Sequence, residues 1–511
     1  MTKGPLPLAA GLPPAANCRF GAGCADGDGL QPHETERPLP PEIAAKVQDH
    51  PCYSEQAHHH FARMHVAVAP ACNIQCHYCN RKFDCAAESR PGVVSERLTP
   101  EQALRKVMAV AQAVPALSVV GIAGPGDALA SAEATFRTCA LVAQALPDVK
   151  LCLSTNGLAL PDHVDAIVAA GVQHVTVTVN MIDPEVGERI YPWISLRGKR
   201  YRGREASRIL SERQLEGIAR LAEKGVLCKV NSVLIPGVND GHLPEVNRTV
   251  RALGAFLHNV MPLLSAPEYG THYGLCGQRG PTAAELEAVQ EACGGARIMR
   301  HCRQCRADAV GLLGEDRGPE FALARLSVQP AADAAPDRAA HRTVVDRRRE
   351  QSAEARARAL RGVAGVGVGA LRIRVAVATR GEGQVNEHFG HAREFQVYEA
   401  SGEGARLVGV RRVAQYCVGG DGEEDALEGV VRALSDCVAV LASRIGRCPQ
   451  ERLREAGIEP VQEHAFAWIE EAVLAHLGSY ADRVARGEVA HAPRPEPVPL
   501  TPEPREVREA S

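Results

Sequence analysis

The residues with the clearest chemical meaning are the three cysteines of Cys72-Asn-Ile-Gln-Cys76-His-Tyr-Cys79, a C-x3-C-x2-C loop that directly follows the apolar run Val66-Ala-Val-Ala-Pro70. Three thiolates on one loop can hold three irons of a 4Fe-4S cube and leave the fourth iron without a protein ligand. A cluster meant only for electron transfer uses four ligands. An open iron can instead chelate the amino and carboxylate groups of S-adenosylmethionine (SAM) and pass an electron into its sulfonium. Zinc is the alternative, but it prefers four ligands in two close pairs. Cys72, Cys76 and Cys79 are therefore expected to be both metal-binding and catalytic.

More potential ligands surround this loop than one cluster needs. The chain has 17 cysteines, and in a reducing compartment thiols serve metals or catalysis rather than disulfides. His50 and Cys52 precede the first strand-like run, Cys85 follows the triad, and Cys302 and Cys305 form a later C-x2-C pair. Cys152 joins them by parity. In Lys150-Leu-Cys-Leu-Ser-Thr-Asn156, Leu151 and Leu153 share one strand face and Cys152, Ser154 and Asn156 the other. If the leucines pack under helices, Cys152 points into the mouth of the fold. These five cysteines and one histidine could hold two further clusters with three protein ligands each. Packing alone accounts for Cys152, and zinc for a C-x2-C pair, but not for all six together. The run His58-His59-His60 and His65 are assigned surface or packing roles, because consecutive rings cannot all aim at one metal. Cys139, Cys228 and Cys437 sit in apolar runs and are read as small buried hydrophobes.

Positioning such ligands requires a regular scaffold, and the sequence from residue 63 onward supplies one. Strand-like runs at 64–68, 117–123, 150–154, 174–179, 227–235 and 256–262 alternate with helical patterns near 100–113, 131–145, 161–170, 211–224 and 242–253. Thr99-Pro-Glu-Gln102 has capping-box spacing, and Gly171, Gly225 and Gly254 follow expected helix ends. Six strand-helix repeats predict an α/β fold, an open or partial (β/α) barrel whose ligands gather at the carboxyl ends of the strands. The Gly124-Pro-Gly126-Asp127 turn, Ser154, Asn156 and Asn180 fall at those ends. Gly124, Gly126, Asp127, Ser154, Asn156 and Asn180 are candidate SAM contacts, each with an equally serviceable role as a turn or strand-end cap.

With 511 residues the chain exceeds one hydrophobic core. Composition shifts divide it into an N-terminal arm (1–47), the barrel (48–315), an Ala/Arg-rich linker or solvated helix (316–370), a second domain (371–482) with strands expected at 372–378, 394–398 and 407–413, and a Pro/Glu-rich tail (483–511) expected to be disordered. Lys and Arg total 58 against 61 for Asp and Glu, a net charge of -3, which leaves no basic footprint for nucleic acid. No apolar run approaches the roughly 18–20 residues of a membrane span, and the first residues lack a secretory pattern. A cytoplasmic protein is expected.

Longer motifs carry a specific resemblance. The stretch His50-Pro-Cys-Tyr-Ser-Glu-Gln-Ala-His58, the run from Met64 to Lys82, the Gly-Pro-Gly-Asp turn and Cys302-Arg-Gln-Cys-Arg-Ala-Asp308 resemble the NifB family of radical SAM proteins in nitrogenase cofactor biosynthesis, over roughly 48–315. The resemblance implies that Cys72, Cys76 and Cys79 hold the SAM-cleaving cluster, that His50, Cys302 and Cys305 anchor one substrate 4Fe-4S cluster, and that Cys52, Cys85 and Cys152 anchor a second. It implies fusion of the two around a SAM-derived carbide with an added sulfur, giving an eight-iron precursor. The implied partners are SAM, iron-sulfur cluster donors, and carriers and scaffolds of NifX and NifEN type. Arg374-Val-Ala-Val-Ala-Thr379 and Val385-Asn-Glu-His-Phe-Gly-His391 resemble a NifX-type domain, a small α/β ribonuclease-H-like fold, with His388 or His391 either ligating cargo or closing a turn. Cys18, Cys24, Cys417 and Cys448 receive no role. Two other readings stand beside this one, namely a radical SAM enzyme with auxiliary clusters and an organic or peptide substrate, and a non-catalytic iron-sulfur scaffold. Auxiliary cysteines of the former normally lie in a C-terminal extension, and the latter has little need of an open triad.

Overall fold

The principal sheet is built from strands whose inner and outer residues alternate between a cavity and a helical shell. The structure, a computed structural model, describes residues 39–82, 90–294, 297–326, 335–365, 371–415 and 423–489. Strands β1 (Ala62–His65), β2 (Leu117–Ile122), β3 (Lys150–Thr155), β4 (His174–Thr178), β5 (Leu227–Leu234) and β6 (Leu257–Pro262) pair in parallel and in sequence order. The two-residue strand β7 (Val310–Gly311) closes the outer edge of β1 in antiparallel register, with Met64 opposite Val310. Each parallel pair is joined through a crossover, and the sheet curls into a half barrel.

Helices α1 (Pro100–Ala113), α2 (Ala132–Ala145), α3 (Leu160–Ala169), α4 (Gly203–Glu223) and α5 (Leu243–Ala252) form the crossovers. Thr99 opens α1 with a full capping box: its hydroxyl accepts from Gln102 N at 3.2 Å, and the Gln102 side chain accepts from Thr99 N at 2.8 Å. Gly171, Gly225 and Gly254 stop α3, α4 and α5 in left-handed conformations with φ of 71, 70 and 94°. Apolar residues such as Val107, Val142, Leu151, Leu153, Ile167, Val230 and Val250 fill one core between sheet and helices. Full burial of each such aliphatic side chain contributes about 1.5–3 kcal/mol.

The second sheet has β8 (Ile373–Val377), β9 (Glu394–Ser401), β10 (Gly404–Arg412), β11 (Ala439–Leu441) and β12 (Glu459–Val461), in the order β10-β9-β8-β11-β12. Its three N-terminal strands are antiparallel and the last two pairings parallel. One face packs against the last helix, residues Ile469–Ala485.

Two regions differ from expectation. Pro41–Val47, inside the expected arm, is a short helix. Ala335–Gly365, within the expected linker, is a 31-residue helix with Arg338, Val345, Ala355 and Val363 buried. Arg338 pairs with Asp148 of the barrel at 2.7 Å, while Arg348 and Arg356 reach Glu382 and Glu470 of the second domain at 2.9 Å each. Residues from Pro40 onward form one compact unit. No helix among the described residues is long and apolar enough to cross a membrane. Cys18, Cys24, Cys85, Cys417, most of the expected arm and residues 490–511 of the expected tail lie outside the described residues.

Candidate iron-sulfur active site

The alternation of strands determines what the half barrel presents to its interior. Arg63 and His65 of β1, Val119 of β2, Cys152 and Ser154 of β3, Thr176 and Thr178 of β4, Lys229, Asn231 and Val233 of β5, and Asn259 and Met261 of β6 line one cavity of about 290 Å³. Their sequence neighbours Met64, Leu151, Leu153, Val175, Val177, Cys228 and Val230 belong to the helix-covered core. Cys152 thus faces the interior for the reason its flanking leucines suggest.

Eight of the nine expected metal-binding residues line that cavity: Cys72, Cys76 and Cys79 together with His50, Cys52, Cys152, Cys302 and Cys305. The ninth is Cys85. The triad loop is held from two sides. Ile74 and Gln75 pair antiparallel with Ile194 and Trp193, the first strand of a hairpin that turns at Arg197-Gly198, both with positive φ. From the other side the Gly124–Asp127 turn straps the loop's base, with Gly126 N donating to Ala69 O and Asp127 N to Ala71 O, both at 2.7 Å. A Cβ on Gly126 would meet the Ala71 carbonyl oxygen at 2.0 Å, so only glycine fits there.

Of the candidate SAM contacts, Gly126, Asp127, Ser154 and Asn156 line the cavity. Asp127 is 2% exposed and accepts from Thr155 Oγ1 and from the backbone N–H groups of Leu129, Ala130 and Asn156, so its carboxylate braces the strand ends. Asn156 Nδ2 donates to Asn73 Oδ1 at 2.7 Å, linking β3 to the triad loop. Gly124 sits at the base of the turn against Ala307. Asn180 is behind the wall: it is fully buried, its Nδ2 donates to the Tyr78 and Tyr191 hydroxyls at 2.9 Å, and its Oδ1 accepts from Val233 N.

The donor set suits iron-sulfur clusters. Burial pushes the thiols up, Cys79 to about 11, Cys152 to about 12, Cys52 and Cys72 above their ordinary value and Cys76 well above it. A bare thiolate is therefore costly in this cavity, and metal binding must displace the protons. Donors already aim at several sulfurs: Arg63 Nη2 at Cys305 (3.1 Å), Asn259 Nδ2 at Cys302 (3.3 Å) and Asn156 Nδ2 at Cys72 (3.8 Å). His50 is 1% exposed, and its Nε2 is buried without a hydrogen-bond partner, an orphan that a metal would satisfy. Among the described residues no three His, Cys, Asp or Glu side chains converge as a single ion requires. A zinc ion needs its ligands within about 2.3 Å of one point, whereas a cube takes one thiolate per iron.

Sequence reasoning did not single out Arg63, Lys229, Asn231 or Asn259; a charged or amide residue on the inward parity of a buried strand is the signal that would have found them. The histidine run takes its packing role at the seam with the second domain. His58, His59 and His60 are buried, Glu382 N donates to His59 O at 2.9 Å, and His341 of the long helix meets His60 O at 2.8 Å. Glu55 is near Glu470 of that domain, not on the cavity wall. His388 Nδ1 accepts from Gly390 N at 3.0 Å and so closes its own turn, with the His391 ring 4.7 Å away. Cys139, Cys228 and Cys437 are buried among apolar side chains, and Cys448 is exposed.

A three-cysteine loop over the mouth of a parallel half barrel, with its thiols turned inward, defines a radical SAM enzyme. The family model described as the radical SAM superfamily matches residues 66–250, and the one described as dinitrogenase iron-molybdenum cofactor matches residues 371–478. The chain is 57% identical over 475 residues to the FeMo cofactor biosynthesis protein NifB of Herbaspirillum seropedicae, covering 93% of this chain and 89% of that one. It is 55% identical over 464 residues to the protein of the same name from Azotobacter vinelandii (89% and 92% covered) and 59% over 438 residues to that of Rhodobacter capsulatus (86% and 97% covered). The chain belongs to the NifB family. Among solved structures, methylornithine synthase aligns over 50% of this chain and 68% of its own at 17% identity with a TM-score of 0.32, too slight a likeness to add to the argument.

Proposed function

We propose that this protein fuses two 4Fe-4S clusters around a carbide taken from the methyl group of SAM, with an added sulfur, to form the eight-iron precursor of the nitrogenase cofactor. The observation that carries the reading is the placement of His50, Cys52, Cys152, Cys302 and Cys305 around the same cavity as the triad. Auxiliary ligands in a separate extension would suit an organic substrate; ligands sharing the triad's cavity suit a substrate that is itself a cluster. Membership in the NifB family supports the same conclusion.

Cys72, Cys76 and Cys79 would hold the resident cluster, which when bound supplies the one-electron cleavage of SAM to a 5′-deoxyadenosyl radical. His50, Cys302 and Cys305 hold one substrate cluster, and Cys52, Cys85 and Cys152 the other. A first SAM methylates a substrate sulfide, and hydrogen removal from that methyl begins its conversion to carbide. The apolar wall residues Val119, Met261, Leu263 and Leu313 keep water from the radical. Ser154 and Asn156 offer hydrogen bonds to SAM. The second domain holds or hands on the anionic product to carriers and scaffolds of NifX and NifEN type.

The test is iron and acid-labile sulfide per chain after anaerobic purification, followed by dithionite and methyl-labelled SAM. About twelve irons, as three cubes require, with label entering a cluster support the reading. About four irons with label confined to small molecules would leave a radical SAM enzyme of another substrate.

A further inference from the structure

One buried cation on the cavity wall has no anionic partner among the described residues. In β5, Leu227-Cys-Lys-Val-Asn-Ser-Val-Leu234, parity sends Cys228 and Val230 into the helix-covered core and turns Lys229 and Asn231 to the cavity. Lys229 is only 7% exposed. A lysine is rarely buried unless paired, because removing an ammonium from water is costly without a compensating anion. Among the described residues Lys229 forms no ion pair or hydrogen bond, and its close partner is the face of the Tyr53 ring, 5.6 Å from Nζ. Lys229 lines the same cavity as Cys52, Cys152 and His50, and the Tyr53 ring beneath it directly follows Cys52 in the chain. A ligand that carries negative charge would give this buried lysine its counterion. Thiolate-ligated iron-sulfur cubes are net anionic and present sulfides that accept hydrogen bonds.

We propose that Lys229 is the positioning cation for the substrate cluster held by Cys52 and Cys152, its ammonium donating to that cluster's sulfides and offsetting the charge of the thiolates. This rests on the reading that Cys52 and Cys152 hold a cluster. It makes the site selective for an anionic cube and ties that cube's redox behaviour to one side chain, since a nearby cation stabilises the more negative, reduced state and raises the reduction potential.

The test compares K229M, K229Q and K229R in the full chain, loaded anaerobically, by iron content and by electron paramagnetic resonance during a redox titration. K229M is expected to keep the triad's SAM-responsive signal while either losing about four irons or shifting an auxiliary-cluster midpoint to more negative potential; K229R restores the parent values. Parent-like iron and midpoints in K229M overturn the proposal. If K229M loses the triad signal too, K229Q is held to the same two outcomes, and loss of that signal in both overturns it. C152A, measured beside them, separates the two readings. Parent-like iron in C152A removes the Cys52 and Cys152 cluster itself, whereas iron loss in C152A with a parent-like K229M removes only the role of Lys229.

Discussion

Cys152 and Cys76 occupy the same cavity and are expected to fail differently when replaced. Cys76→Ala removes one of three irons' ligands in the triad, and formation of 5′-deoxyadenosine from SAM should be abolished; cleavage at the parent rate would take the triad out of the chemistry. Cys152→Ala should leave cleavage possible while lowering iron by about four per chain and blocking the fused product, with iron analysis as the check. Cys152 was legible in the sequence because two leucines flank it and settle its parity. Lys229 obeys the same parity but was passed over, since lysine signals surface in a sequence. Asn180 shows the reverse: two residues beyond the end of β4, the chain has left the strand's alternation, and the Tyr78 and Tyr191 hydroxyls take the amide.

Among the elements, the strap formed by Gly124–Asp127 is as much a part of the triad site as the cysteine loop. Gly126→Ala places a methyl where the Ala71 carbonyl stands, so the backbone that leads into Cys72 must move. The expected result is a folded protein that fails to retain its SAM-binding cluster, seen as loss of the SAM-responsive paramagnetic signal; full retention would show that the loop tolerates the shift. The six strands and five crossover helices were readable because each strand carries apolar residues toward the helices and each helix an apolar stripe toward the strands. The hairpin at Trp193–Leu196 and Lys199–Tyr201 was missed because its turn, with positive φ at both Arg197 and Gly198, lacks the Asn, Asp or Gly that marks the first position of such turns in a sequence. The helix Ala335–Gly365 escaped for a different reason. It has little apolar periodicity, and arginines bind it to carboxylates on both domains.

For the whole molecule, the interior is rich in histidines held neutral by burial. His59, His174 and His301 are brought down to about 3, and His60, His65 and His258 to about 4, with burial the largest cause in each. Groups depressed on folding contribute stability above their unfolded value near 6.5 and lose it as pH falls towards the folded values. For the metal-free chain this amounts to as much as about 2 kcal/mol for each histidine between neutrality and pH 5. Thermal melts at pH 7.5, 6 and 5 should show a steep fall in Tm, and an unchanged Tm would contradict the buried placement of these rings. The two domains should suffer together, because His58, His59 and His60 line their seam and Arg303, beside Cys302, pairs with Glu394 of β9 at 2.8 Å.

The edge pairing of β1 with β7 also bears on the order in which the protein is made. Arg63 lies opposite Gly311, and Cys302 and Cys305 precede that closing strand closely, while His50 and Cys52 come just before β1. A nascent chain emerging from the ribosome therefore presents His50, Cys52 and the triad long before Cys302 and Cys305 exist. The proposed set of ligands is complete only after more than half of the polypeptide has been synthesised. If the auxiliary clusters are held as proposed, their delivery waits until Cys305 has emerged, and a donor would meet a nearly complete barrel rather than an emerging loop.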